Sequence, residues 1–246
     1  MQTWPYPFLF AHRGGGTLAP ENTLAGMAEA VKHHFGAVEF DVKLSHEGQC
    51  YLLHDDTVDR TSNGHGLAAE KTVLDLLALD AGSWLSSRFA GEPVPFFSTI
   101  AAYCKAHGLL ANVEIKPCPD RDTETGTAVA NATAALWANA TVKPLMSSFS
   151  LPALKAAQAA QPSLPRGWLI EAPWPENWLE TLQDLQAVSL HSDEALLTEA
   201  RVQAVKAAGY RVLAYTVNDL ARARELQHWG VDGIFTDALD QMQSLL

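Results

Sequence analysis

The stretch Ala11-His12-Arg13-Gly14-Gly15-Gly16-Thr17-Leu18-Ala19-Pro20-Glu21-Asn22-Thr23 follows a short apolar run, Phe8-Leu9-Phe10. Phe8–His12 reads as a strand that ends on a histidine with an arginine beside it. Three glycines then let the chain turn. Pro20 stands where a first-turn proline is tolerated, ahead of an apolar stripe at Leu24, Met27, Ala28 and Val31. A helix over Glu21–Phe35 is expected, with Glu21, Asn22 and Thr23 stabilising its start. A strand that ends in His-Arg and opens through glycines into a helix suits a site that holds an anion and moves protons. The glycine spacing misses the G-x-G-x-x-G pattern, so a dinucleotide site is not implied.

Working outward, the alternation continues almost to the end of the chain. Strands are expected at Ala37–Leu44, Leu109–Lys116, Val142–Phe149, Gly167–Ile170, Ala187–His191, Arg211–Val217 and Gly233–Thr236. Helices are expected at Thr127–Asn139, Leu151–Gln161, Asn177–Leu185, Glu194–Ala208 and Leu220–Trp229, with a last one running to Leu246. Roughly eight parallel strands, most followed by a helix, predict an α/β fold of the (β/α)8 TIM-barrel type, with a doubly wound open sheet as the alternative. Residues 1–246 are read as one catalytic domain. Its one interruption is a turn-rich insertion after the second strand, at about residues 55–95, with a single helix at Val73–Leu79.

Composition excludes several classes of function. The chain has 246 residues, 48% of them hydrophobic, and a formal net charge of −11. That balance argues against nucleic acid and against stable association with an anionic membrane. Three scattered cysteines, Cys50, Cys104 and Cys118, form no Cys-x-x-Cys and support neither a disulfide framework nor a thiolate metal site. Met1–Pro7 has no basic leader region and the apolar run behind it is too short for a span, so a cytoplasmic location is expected. A homo-oligomer is left open.

The polar residues concentrate at expected strand ends, where barrel chemistry sits. His12 and Arg13 end the first strand. Glu39 and Asp41 share one side of the second, two residues apart, as Glu114 and Lys116 do in the third. If Lys43–Ser45 and Gln49–Tyr51 form a hairpin, antiparallel register brings His54 level with Glu39–Asp41. Three carboxylates in one pocket repel one another and call for a cation, and an oxygen-only donor set suits a hard divalent ion: Mg2+, Ca2+ or Mn2+. Arg13 and Lys116 would be left unpaired and suit a phosphate. His12 and His54 suit a proton exchange near neutral pH, one as base and the other as acid. Phosphoryl-ester cleavage is the chemistry this set implies. The other histidines, His191 among them, are given surface or structural places, and Asp55 and Asp56 are read as turn residues.

Taken in order, these residues resemble the glycerophosphodiester phosphodiesterases, most closely their bacterial cytosolic branch. The resemblance rests on His12-Arg13-Gly14, Pro20-Glu21-Asn22-Thr23, Glu39-Phe40-Asp41, His54-Asp55-Asp56-Thr57 with Arg60 to Gly64, and Glu114-Ile115-Lys116-Pro117. Ser147-Ser148-Phe149, Tyr215-Thr216-Val217-Asn218 and Asp232 to Asp237 continue it. It implies a TIM barrel with a small insertion, a divalent cation on Glu39, Asp41 and Glu114, and acid–base roles for His12 and His54, with His12 favoured as base and His54 as acid. The implied substrates are glycerophosphodiesters such as glycerophosphocholine, glycerophosphoethanolamine, glycerophosphoglycerol and glycerophosphoinositol, and a cyclic phosphate is the expected intermediate. Phe149 and Tyr215 would wall the substrate, Tyr215 standing where many members carry Trp. A phospholipase-type barrel and a non-catalytic diester-binding barrel are the competing functions.

Overall fold

A computed structural model describes residues 4–246. The leader-region reading of Met1–Pro7 therefore lies outside the described residues for its first three positions. The strands are β1 (Leu9–Ala11), β2 (Ala37–Leu44), β3 (Cys50–Leu52), β4 (Leu110–Ile115), β5 (Leu145–Ser148), β6 (Arg166–Ile170), β7 (Ser189–Asp193), β8 (Arg211–Tyr215) and β9 (Gly233–Thr236). All but β3 pair in parallel with their neighbours, and β1 pairs with both β9 and β2, so eight strands close into a barrel. The expected TIM barrel is therefore present. β3 runs antiparallel to β2, with Val42 opposite Leu52 and Leu44 opposite Cys50.

Alternation along each strand sorts side chains between two cores. On β2, Val38, Phe40, Val42 and Leu44 join the outer apolar layer beneath the helices. Ala37 instead joins Tyr6, Phe10, Leu145, Leu213 and Phe235 in a plug inside the barrel. Each such burial of a large apolar side chain stabilises the fold by roughly 1.5–3 kcal/mol. The plug closes one end of the barrel interior, and the polar members of the same strands continue toward the other end.

The helices are α1 (Leu24–Lys32), α2 (Val73–Leu77), α3 (Phe97–His107), α4 (Asp122–Leu136), α5 (Leu151–Ala160), α6 (Trp178–Asp184), α7 (Glu199–Ala207) and α8 (Leu220–His228). Several start at side-chain caps: Thr23 for α1, Ser150 for α5, Thr198 for α7 and Asp219 for α8. The Glu194–Ala208 helix expected from sequence is divided into a 3-10 turn at Glu194–Leu196 and α7, and the terminal helix is only a 3-10 turn at Gln243–Leu245. Helix α3 was not anticipated. It buries Phe97, Ile100, Ala101 and Cys104 and ends at Gly108, whose φ is +69°.

Between β3 and α3 the chain makes an excursion from the barrel. Tyr51, Leu53, Val58, Ala68, Leu76, Ala81, Val94 and Cys118 form a small core of their own there. Asp80 organises its far end, accepting from the Gly82, Ser83 and Gly91 amides and the Ser83 hydroxyl. Of the tryptophans, Trp168 is buried in the outer core, and Trp174 and Trp178 pack against it.

Candidate active site

At the carboxyl ends of the strands lies a cavity of about 220 Å3, lined by His12, Arg13, Glu39, His54, Glu114 and Lys116 and, more deeply, by Asn112, Ser147, Leu169 and Phe235. Phe149 and Tyr215 stand on one wall with their rings edge to face, centroids 5.6 Å apart, and the Tyr215 hydroxyl donates to the Ile170 carbonyl. β2 and β4 run in register with Glu39 beside Asn112 and Asp41 beside Glu114. That register brings carboxylate oxygens of Glu39, Asp41 and Glu114 within 4.8 Å of one another, all three residues buried.

The electrostatics show how crowded the three are. Burial, then the nearby Asp41 charge, pushes Glu39 up to about 8, and the same two causes raise Glu114. Burial also opposes ionisation of Asp41, but Lys116 and Arg13 outweigh it and hold that carboxyl far below its ordinary range. Buried carboxylates that keep each other from ionising, with hard oxygen donors and no thiolate, fit a divalent cation.

Each histidine has a carboxylate behind it. His12 Nδ1 lies 2.7 Å from Asp237 Oδ1, and His54 Nδ1 lies 2.7 Å from Asp55 Oδ1. An Nδ1–H held this way leaves Nε2 with its lone pair free for proton transfer. His12 Nε2 is 3.8 Å from Glu39 Oε2. Burial lowers the His12 pKa, but Asp237 and Glu39 overcome it and the net shift is upward. For His54 burial again leads, Lys116 and Arg13 add to it, and the net shift is downward despite Asp41.

The hairpin places His54 as expected: the Leu53 amide donates to the Asp41 carbonyl, so His54 continues the ladder level with Phe40. The cations differ from expectation. Arg13 and Lys116 were expected to be unpaired. Arg13 instead donates to Glu21 Oε1 at 2.8 Å and lies 3.5 Å from Asp41, and Lys116 donates to Glu114 at 2.8 Å and lies 3.8 Å from Asp41. The same carboxylates that need a cation attract these two side chains.

Other residues near the site have partners that local sequence does not reveal. Asn22 does not stabilise the helix start. It sits at φ +57° and clasps Asp41, donating from Nδ2 at 2.8 Å and accepting the Asp41 amide at 3.0 Å. Glu21 faces arginines instead of the helix end, because Arg60 reaches across from the excursion and pairs with both Glu21 and Asp55. Asp55 supports His54, and Asp56 accepts from the buried Lys43. Asp237, just past β9, was not picked out. A carboxylate directly after a barrel strand was the signal available.

A barrel whose open end gathers a carboxylate cluster fit for a metal ion, two carboxylate-backed histidines and two cations defines a phosphoric ester hydrolase. The profile of the glycerophosphoryl diester phosphodiesterase family matches residues 12–241, and the chain belongs to that family. It is 31% identical over 240 residues to YhdW of Bacillus subtilis, covering 95% of each chain. It is 29% identical to the glycerophosphodiester phosphodiesterase of Caldanaerobacter subterraneus, covering 97% of each. Among solved structures it is similar to an Oleispira antarctica phosphodiesterase in complex with its product, sn-glycerol-3-phosphate. That match has a TM-score of 0.91 and 35% identity, over 98% of this chain and 96% of that one.

Proposed function

We propose that this enzyme cleaves glycerophosphodiesters to sn-glycerol 3-phosphate and a free alcohol by acid–base exchange between His12 and His54, with a divalent cation held by Glu39, Asp41 and Glu114. The observation that carries this reading is the pair of carboxylate-backed histidines on a cavity that Glu39 and Glu114 also line, with the buried Asp41 beside those two carboxylates. The cation, Mg2+, Ca2+ or Mn2+, would supply charge neutralisation and electrophilic polarisation of the phosphate. Arg13 and Lys116 turn from their carboxylate partners to the phosphate oxygens.

His12 lies beside Glu39, and its Nε2 takes the proton of the glycerol 2-hydroxyl. The freed oxygen forms a bond to phosphorus as the bond to the alcohol oxygen breaks. His54, on the excursion side, protonates that oxygen. A cyclic phosphate results. Water then bonds to phosphorus and gives a proton to His54, as the bond from phosphorus to the glycerol 2-oxygen breaks and that oxygen takes the proton held by His12. The charge that raises the His12 pKa comes partly from Glu39, and a cation held by Glu39 would offset it and suit His12 to the role of base. Phe149 and Tyr215 flank the substrate. The headgroup alcohol, whether choline, ethanolamine, glycerol or inositol, sits outward.

The test is release of glycerol 3-phosphate from glycerophosphocholine after exhaustive chelation and after each metal is restored. We expect loss of activity and its recovery with one or more of the three ions. Full activity in the chelated enzyme overturns the metal-assisted reading.

A further inference from the structure

Asn112 has no part in the chemistry above, yet it occupies the deep end of the same cavity. It lies two residues below Glu114 on β4, so its side chain enters the barrel on the same side. The residue is 1% exposed. Its Nδ2 donates to the Ser147 hydroxyl at 2.8 Å, and its Oδ1 has no partner. Among the described residues only Trp4 Nε1, Arg13 Nε and His191 Nδ1 share that condition, and of these Arg13 alone also lines the cavity. A buried amide oxygen left unpaired is costly, so the place of Asn112 on the cavity wall points to a ligand group that completes it. Exchanging the amide's O and N leaves the conclusion intact. Ser147 would then donate to the oxygen, and a free N–H would face the cavity.

The order of groups along the strand decides which ligand group this is. Lys116 at the outer end suits the phosphate, Glu114 lies in the middle, and Asn112 lies deepest. A glycerol phosphate set along that line places the carbon farthest from phosphorus, with its hydroxyl, against Asn112. A hydroxyl both donates and accepts, so it suits either amide orientation. Leu169 and Phe235 close the cavity beside it and offer nothing polar.

We propose that Asn112, anchored by Ser147, is the specificity-determining residue that reads the free terminal hydroxyl of the glycerol moiety, and so restricts the enzyme to diesters whose terminal oxygen bears no substituent. This rests on the glycerophosphodiester reading above and adds the residue that tells that class from diesters whose terminal hydroxyl is missing or substituted.

Two soluble diesters test it: glycerophosphocholine, and (2-hydroxypropyl)phosphocholine, which keeps the 2-hydroxyl but has hydrogen in place of the terminal hydroxyl. We expect the native enzyme to favour the first by roughly 10–10²-fold in kcat/KM, the value of one buried hydrogen bond. Asn112→Leu should bring that ratio to within about threefold of unity, chiefly through loss on glycerophosphocholine. Ser147→Ala, which keeps the amide and removes its anchor, should give an intermediate ratio and covers the case in which Asn112→Leu does not fold. Equal turnover of the two diesters by the native enzyme overturns the inference alone, as does an unchanged ratio in both variants. Turnover of neither diester by the metal-loaded native enzyme overturns the glycerophosphodiester reading, and this inference with it.

Discussion

His12 and Asp237 are 225 positions apart in sequence, yet Nδ1 of one lies 2.7 Å from Oδ1 of the other. The contact comes from barrel closure. β1 pairs with β9, and the His12 amide donates to the Thr236 carbonyl. Gly16 completes it: at φ +52°, a Cβ there would fall 2.2 Å from the Asp237 carbonyl oxygen. The glycine run after the first strand therefore seats the loop that orients His12. Asn218 bonds the second Asp237 oxygen at 3.2 Å and accepts the Asp237 amide at 2.7 Å.

Asp237→Asn should lower kcat by roughly 10²–10³-fold with little change in KM, because the amide supports the wrong imidazole tautomer while the substrate contacts remain. Steady-state kinetics on glycerophosphocholine check this. A kcat within twofold of native would remove Asp237 from the machinery.

The buried carboxylates predict a thermal signature independent of turnover. An ion that binds Glu39, Asp41 and Glu114 only in the folded chain stabilises it by about 2.7 kcal/mol at a hundred times its Kd, a rise of roughly 5–10 °C in Tm at this size. Glu114→Gln should abolish most of that rise. An equal rise in native and variant would place the ion elsewhere.

Most of the barrel was legible in the sequence because buried parallel strands are short apolar runs, and the stretch Gly233–Thr236 coincides with β9. Glu39, Asp41 and Glu114 were legible because carboxylates inside such runs conflict with burial unless they share a task. Helix α3 escaped notice although Phe97, Ile100, Ala101 and Cys104 carry a helical spacing, since Pro93 and Pro95 make the approach look like more loop. The start of α1 was placed three residues early, because what Glu21 and Asn22 do is decided by Arg13, Arg60 and Asp41, distant partners that no local pattern encodes. Asp55 and Asp237 share this difficulty: each has meaning only beside a histidine.

Arg60 clamps Asp55 and Glu21, and thereby ties the supports of His54 and Arg13 together. Its side chain is 46% exposed, so Arg60→Ala should cost at most about 1 kcal/mol of stability. Its effect on kcat should be larger, roughly tenfold, and Arg60→Lys should recover little because one ammonium cannot replace two bidentate contacts. Chemical denaturation alongside kinetics checks both, and full rescue by lysine would contradict the clamp.

His191 gives the fold a pH dependence of its own. It is fully buried on β7, with Nε2 2.9 Å from the Ser189 hydroxyl and its ring against Phe235, and burial pulls its pKa down to about 3. Below about pH 6.5 the unfolded chain takes up a proton that the folded chain does not, so stability falls as pH drops toward 3, by about 1.4 kcal/mol per unit from this group. His191→Leu should flatten the stability profile between pH 6 and pH 4 in denaturant titrations. An unchanged slope would show that His191 is not its source.

The most direct test of the two-histidine claim is kcat for glycerophosphocholine hydrolysis by His12→Ala and His54→Ala in saturating metal. Each variant should lose roughly 10²–10⁴-fold while retaining the metal-induced rise in Tm. Near-native turnover in both would contradict acid–base exchange between His12 and His54.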